Sequence, residues 1–237
     1  MGDEVERADK RLLRVLESAA RLQEIVSDAV LVGGSAAAMY AGHRLSRDHD
    51  HVLKDLHDRF EMVLDSLERE PDWVTNRVTP GKVILGQLGD IEAGVRQLIR
   101  KVPLETQEVS LPSGTHVVAP TPEETIRIKA FLIVKRNQVR DYLDVAALAD
   151  RYGVERAGRT LADIDRYYAD EIRAGVPVAT QVARQLAAPR PADKRTLQTL
   201  ASYKGLDPRW QDWKAVTKMC RAVAAHMLDD DNGTEQS

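Results

Sequence analysis

Apolar residues near the start of the chain recur at helical spacing. Leu12, Leu13, Val15, Leu16, Ala19, Leu22 and Ile25 predict one amphipathic helix over residues 4–27. A short apolar run at 29–32 predicts a strand that ends on Gly33-Gly34. Residues 35–41 are alanine-rich and predict a short helix, with Ser35 as its N-cap and Gly42 as its stop. A second strand is expected over 45–53 and a helix over 56–68, halted before Pro71. Four further strands follow at 73–78, 82–88, 91–98 and 115–118, each bounded by glycine or proline. Beyond Pro120 and Pro122 the period changes to that of helices. Residues 123–135 and 139–152 form two strong helices, and the remainder is helical in pieces broken at Gly175, Pro177, Pro189-Arg190-Pro191 and Pro208. The expected architecture is α/β (α+β): a mixed-sheet half over 1–120, an α-helical half over 121–229, and a disordered tail over 230–237.

Composition adds constraints. With 43% hydrophobic residues and 30% charged residues, the chain reads as a globular protein. Aromatics are only 5%, so Leu, Val, Ile and Ala must fill the core. The formal net charge of −3 excludes a generally cationic nucleic-acid coat but not a local basic groove. Cys220 is the single cysteine, so no intrachain disulfide exists and a reducing, cytoplasmic compartment is expected. The opening segment is charged, unlike a signal peptide. No apolar run approaches the ~20 residues needed to span a membrane, so no membrane partner is expected.

Asp48 and Asp50 carry the first candidate chemistry. Residues two apart on a strand share a face, so the carboxylates stand side by side. Adjacent like charges repel unless a cation lies between them. Mg²⁺ or Mn²⁺ suits such a pair: a hard ion takes oxygen ligands, keeps water, and bridges to substrate phosphates. Arg44 and Ser46 share that face if the strand begins early enough. Gly33-Gly34-Ser35 supplies the second element. A strand running into glycines and then a helix N-terminus presents backbone N–H groups to an anion, and the Ser35 hydroxyl can donate to a phosphate oxygen.

Gly33-Gly34-Ser35, a short helix, and Arg44-x-Ser46-x-Asp48-x-Asp50 together resemble the nucleotidyltransferase fold of the DNA polymerase β superfamily. The closer resemblance is to the AbiEii/AbiGii toxin family, which includes the MenT toxins. Ile128-Lys129-Ala130-Phe131-Leu132, Lys135-Arg136-Asn137 and Arg140-Asp141-Tyr142-Leu143-Asp144 are similar to that family's downstream motif. The resemblance covers about residues 28–150. It implies metal on Asp48 and Asp50, NTP triphosphate on Gly34 and Ser35, and activity from Lys129 and Asp141, with Asp144 as a companion; Gly33, Arg44 and Ser46 are expected to join the nucleotide-binding set. It also implies RNA as acceptor, at the 3′ end of tRNA, and a cognate antitoxin. The superfamily usually adds a third acid on a later strand; Asp90 and Glu92 are the candidates, and Glu92, inside the strand, is preferred.

Several plainer readings compete. Asp48 and Asp50 could be surface acids paired with Arg44 and Arg47. Lys129 could be an ordinary lysine on an amphipathic helix, and Asp141 and Asp144 could be acids favoured at a helix start. His43, His49, His51 and His57 lie within fifteen residues and invite a zinc reading, but His49 and His51 point away from the Asp face. Arg96, Arg100, Lys101, Arg127, Lys135, Arg136 and Arg140 are by default a solvated set; converging, they would hold an RNA backbone, with Arg136 and Arg140 the expected contacts. A small-molecule nucleotidyltransferase, such as an antibiotic-modifying enzyme, and a non-catalytic interaction domain are the alternatives.

Overall fold

A computed structural model of the chain describes residues 2–171, 175–203 and 205–228. Two compact units emerge. The first comprises Met1–Met39 and Leu45–Thr121; the second comprises Tyr40–Arg44 and Pro122–Ser237.

The first unit is built on a five-stranded mixed sheet. Its strands are β1 (Val30–Val32), β2 (Asp48–Leu53), β3 (Trp73–Thr79), β4 (Val83–Leu88) and β5 (Ile91–Gln97), in the order β1-β2-β5-β4-β3. Only β2 and β5 run parallel; the other neighbours are antiparallel. A hairpin of β6 (Thr106–Ser110) and β7 (His116–Pro120) forms a second, two-stranded sheet. Helix α1 (Gly2–Ile25) and the bend after it place Leu22 and Val26 in a core with Leu53, Phe60, Leu67, Trp73, Ile84 and Val95. Its preceding turns place Leu16, Ala19 and Ala20 against Leu31, Val117 and Ala119. Burial of these aliphatic side chains stabilises the unit at about 25 cal/mol per Å² of apolar surface. Helix α2 begins at Gly33 and ends at Ala41, and α3 spans Phe60–Glu68.

The second unit is helical. Helices α5 (Val139–Tyr152), α6 (Val154–Ala162) and α8 (Val178–Ala187) pack on α10 (Trp213–His226), and α4 (Pro122–Arg136) packs on α5, α6 and α8; the short helices α7 (Asp165–Tyr168) and α9 (Lys194–Gln198) follow α6 and α8 in the chain. Cys220 lies fully buried in α10, and burial pushes its thiol up to about 12, which makes it an inert core residue. None of the described helices is long and apolar enough to cross a membrane.

Three local expectations change. The strand expected from residue 45 begins at Asp48, so Arg44 lies off it. The 56–68 helix begins at Phe60. The β6 strand was absent from the sequence reading because Thr106-Gln107-Glu108 is polar and exposed, leaving no apolar alternation to read. The tail over 230–237 that was expected to be disordered lies outside the described residues.

Candidate functional site

The chemistry of the first unit gathers on one face of β2 and β5. Because β1 runs antiparallel to β2 with Val32 opposite Asp50, the turn after β1 falls beside the Asp50 carboxylate. Gly33 there has φ of +79°, a conformation L side chains rarely adopt, and a Cβ at this position would stand 3.4 Å from Asp50 Oδ2. The parallel register then sets Glu92 beside Asp48 and Gly94 beside Asp50. The pleat puts all four on the same face. A Cβ at Gly94 would lie 2.7 Å from Asp50 Oδ1, so this strand glycine makes room for the carboxylate. Arg96, two residues on, donates from Nε to Asp50 Oδ1 at 3.1 Å. Ser46 donates from Oγ to Asp48 Oδ1 at 3.3 Å.

These residues suit a hard divalent cation. Asp48 and Asp50 supply oxygen ligands, Glu92 offers a third from the neighbouring strand, and the space kept open by Gly33 and Gly94 is space a side chain would fill. Among the described residues no three His, Cys, Asp or Glu side chains are drawn together to hold an ion by themselves. Mg²⁺ would complete its shell with water and phosphate oxygens. Asp90, the other candidate acid, sits in the turn before β5 and is ion-paired with Arg14 at 2.8 Å.

The opposite face of β2 is core. Burial along the strand alternates, with His49 and His51 inside. His49 Nε2 lies 3.0 Å from Ser18 Oγ on α1, and its ring meets His51 edge to face. Burial lowers the His49 pKa to about 4 and that of His51 well below 6.5, with His49 adding to the latter shift. Both rings are neutral core residues facing away from the carboxylates.

Ser35 departs from the expected cap. The positive φ of Gly33 lets the strand turn directly into α2, so Ser35 is the third helical residue and its Oγ donates back to the Val32 carbonyl at 3.4 Å. Gly34 is the second residue of that first turn, where backbone N–H groups have no helical acceptor.

The second unit holds a buried ionic group. Asp144 on α5 receives four donors: His43 Nε2 and Arg44 Nε on Oδ1, both at 2.8 Å, and Arg44 Nη2 at 3.0 Å and Lys129 Nζ at 2.7 Å on Oδ2. All four residues are buried. Burial by itself would raise the Asp144 pKa; Arg44, Lys129 and the His43 hydrogen bond outweigh it and hold the carboxyl well below its usual range. Lys129 ends below its ordinary value, because burial and the Arg44 charge together exceed what Asp144 returns. Arg44 therefore belongs to this group rather than to the β2 face where it was expected beside a nucleotide; a chain that enters β2 only at Asp48 leaves it free to turn into the helical unit.

Asp141, expected to act alongside Lys129, does not hold it. It accepts from Arg136 Nε at 2.8 Å and Nη2 at 2.7 Å, and Asp144, three residues on, takes the lysine. The same bidentate pair fills two arms of the Arg136 fork, which had been expected on RNA. Arg140 is half-buried, and its Nε has no hydrogen-bond partner among the described residues. The sequence reading missed the roles of Gly94, Arg96 and His43. An isolated glycine within a strand pattern was a usable signal for Gly94; nothing local marked the other two.

Comparison with known proteins supplies the lineage. The family model described as "Nucleotidyl transferase AbiEii toxin, Type IV TA system" matches residues 14–226. Among solved structures, the nucleotidyltransferase toxin MenT4 of Mycobacterium tuberculosis superposes with a TM-score of 0.56 at 17% identity, over 95% of this chain and 89% of that one. A nucleotidyltransferase from H. pylori gives a TM-score of 0.50 at 14% identity, over 98% and 99% of the two chains. These two likenesses show the fold. The sequence is also 31% identical over 247 residues to the protein named heme uptake protein MmpL11 of Mycobacterium tuberculosis, covering 94% of this chain but 23% of that protein. The chain thus spans less than a quarter of the length of the curated relatives it matches. With the mixed sheet, the Gly-Gly-Ser turn and the paired aspartates in place, the family match is decisive: the chain belongs to the AbiEii family of nucleotidyltransferase toxins.

Proposed function

We propose that this nucleotidyltransferase transfers a nucleoside monophosphate from an NTP to RNA, at the 3′ acceptor end of tRNA, and so blocks translation. The observation that supports the site is the meeting of the Gly33 turn with Asp50 on the face that carries Asp48 and Glu92. Asp48 and Asp50 would hold Mg²⁺ or Mn²⁺, with Glu92 as third acid; the ion would neutralise charge on the reacting phosphates. Gly33 and Gly34 admit the triphosphate to the backbone, and Ser35 and Ser46 line the approach. An acceptor hydroxyl then gives up its proton to solvent as its oxygen attacks the α-phosphorus, the bond from that phosphorus to the oxygen bridging to the β-phosphate breaks, and pyrophosphate leaves. Such a reaction depends mainly on positioning and charge stabilisation. We assign charge neutralisation to Lys129, and to Asp144 rather than Asp141 the task of holding it.

The RNA acceptor rests on the family's toxin character and on the basic residues. Arg140 is the better phosphate contact, since Arg136 is already committed to Asp141. The family's toxin–antitoxin character also implies a cognate antitoxin as partner. The test incubates the protein with each labelled NTP, Mg²⁺ and total RNA. Label in the tRNA fraction, with binding that weakens steeply as salt rises, is the expected result. Label only in a small cationic metabolite or drug would replace RNA with a small-molecule acceptor.

A further inference from the structure

Asp144 accepts more than its charge requires. An ionised carboxylate offers about four lone-pair positions. Arg44 and Lys129 fill three of them and already bring two positive charges to one negative charge. The fourth donor is His43, and it adds hydrogen bonding without adding charge. A carboxylate only accepts, so the proton at this contact lies on His43 Nε2; burial, the largest influence, lowers the ring's pKa and keeps it neutral, outweighing Asp144. The other ring nitrogen, Nδ1, is then a buried acceptor with no hydrogen-bond partner among the described residues. Leaving a buried polar atom unpaired is unfavourable, and an apolar residue at position 43 would avoid it. The arrangement gives up stability for something.

What it yields is a single position for Lys129. An ammonium on a flexible stem can move between the two oxygens of one carboxylate. His43 Nε2 and Arg44 Nε both stand 2.8 Å from Oδ1, which closes that oxygen to further donors. Lys129 is confined to Oδ2, at 2.7 Å. The direction of its remaining N–H bonds is thereby set. We propose that His43 is a positioning residue: by occupying Asp144 Oδ1 it holds the Lys129 ammonium in one orientation for nucleotidyl transfer.

This rests on the assignment of Lys129 to the reaction, so the experiment includes K129A as its own control. His43→Gln keeps an N–H donor the same number of bonds from Cα as Nε2, whereas His43→Asn places its amide at the position of Nδ1, short of Asp144. Steady-state transfer is measured for K129A, H43Q and H43N, with the folded fraction of each followed by circular dichroism and thermal melting. The expected result is near-normal kcat for H43Q and a kcat at least tenfold lower for H43N, with KM for the NTP within threefold of wild type in both. Normal kcat in H43N overturns the proposal. So does equal loss in H43N and H43Q, or a loss that only tracks the folded fraction, since either means that His43 is structural. Full activity in K129A instead removes Lys129 from the reaction, and with it the reading on which the proposal stands.

Discussion

Replacing Asp144 with Asn separates structural from chemical roles. Asn keeps the shape of the side chain and one acceptor oxygen but removes the charge that Arg44 and Lys129 share. Both cations are buried, at 5% and 2% relative exposure, so water cannot take over the lost interaction. Removing one partner of a buried ion pair costs about 3–5 kcal/mol. That is a large part of the ~5–15 kcal/mol that stabilises an ordinary domain. Lys129 can lose its proton to limit the damage, and its already lowered pKa makes this the first relaxation; Arg44 cannot. With an m-value of about 1–3 kcal/mol per M, the urea midpoint of the helical unit should fall by at least ~1 M. The assay is urea denaturation at pH 7, followed by circular dichroism. Asp48→Asn is the comparison: its half-buried side chain is paired with Ser46 rather than a cation, and its midpoint should move by no more than about 0.5 kcal/mol worth of denaturant. A D144N midpoint equal to wild type would refute the claim that this carboxylate anchors two buried cations.

Gly94→Ala drives a methyl group to 2.7 Å from Asp50 Oδ1, and the yielding atom is the end of a side chain, so the carboxylate should swing away while the strand survives. Transfer should fall by about 100-fold for a displacement near 1 Å, with a melting temperature close to wild type, as read by activity and calorimetry on the same sample. Acid should destabilise the helical unit through His43, whose folded pKa lies below 6.5. The unfolded chain binds the extra proton first, so unfolding free energy declines as pH drops through 6.5 toward the lowered folded value. Urea midpoints at pH 7.5 and 5.5 should differ more in wild type than in His43→Gln, and equal differences would contradict the neutral-ring assignment.

Much of the carboxylate face was legible because it depends on local periodicity. Asp48 and Asp50 alternate with buried His49 and His51, as strand spacing requires, and a strand ending in two glycines announced the turn. That the turn meets Asp50 depends on β1 pairing antiparallel with β2, a register no short window encodes. The helical unit was harder. Asp141 and Asp144 lie three apart on α5 and therefore share a helix face, so periodicity could not say which would take Lys129. The decision comes from Arg44 and His43, about 100 positions earlier, which converge on Asp144 only after folding. The early end assigned to β2 failed for a related reason: Leu45 extends the apolar pattern, but the chain at Arg44 is drawn into the helical unit.

Nucleotidyl transfer by purified Asp48→Asn and Asp50→Asn proteins tests the central claim most directly. Each variant would be mixed with labelled NTP, Mg²⁺ and the acceptor that wild type modifies, after circular dichroism has confirmed a wild-type fold. The paired-carboxylate site predicts loss of transfer in both variants, with folding unchanged or slightly improved by relief of charge repulsion. Transfer at near wild-type rate by either folded variant would contradict it.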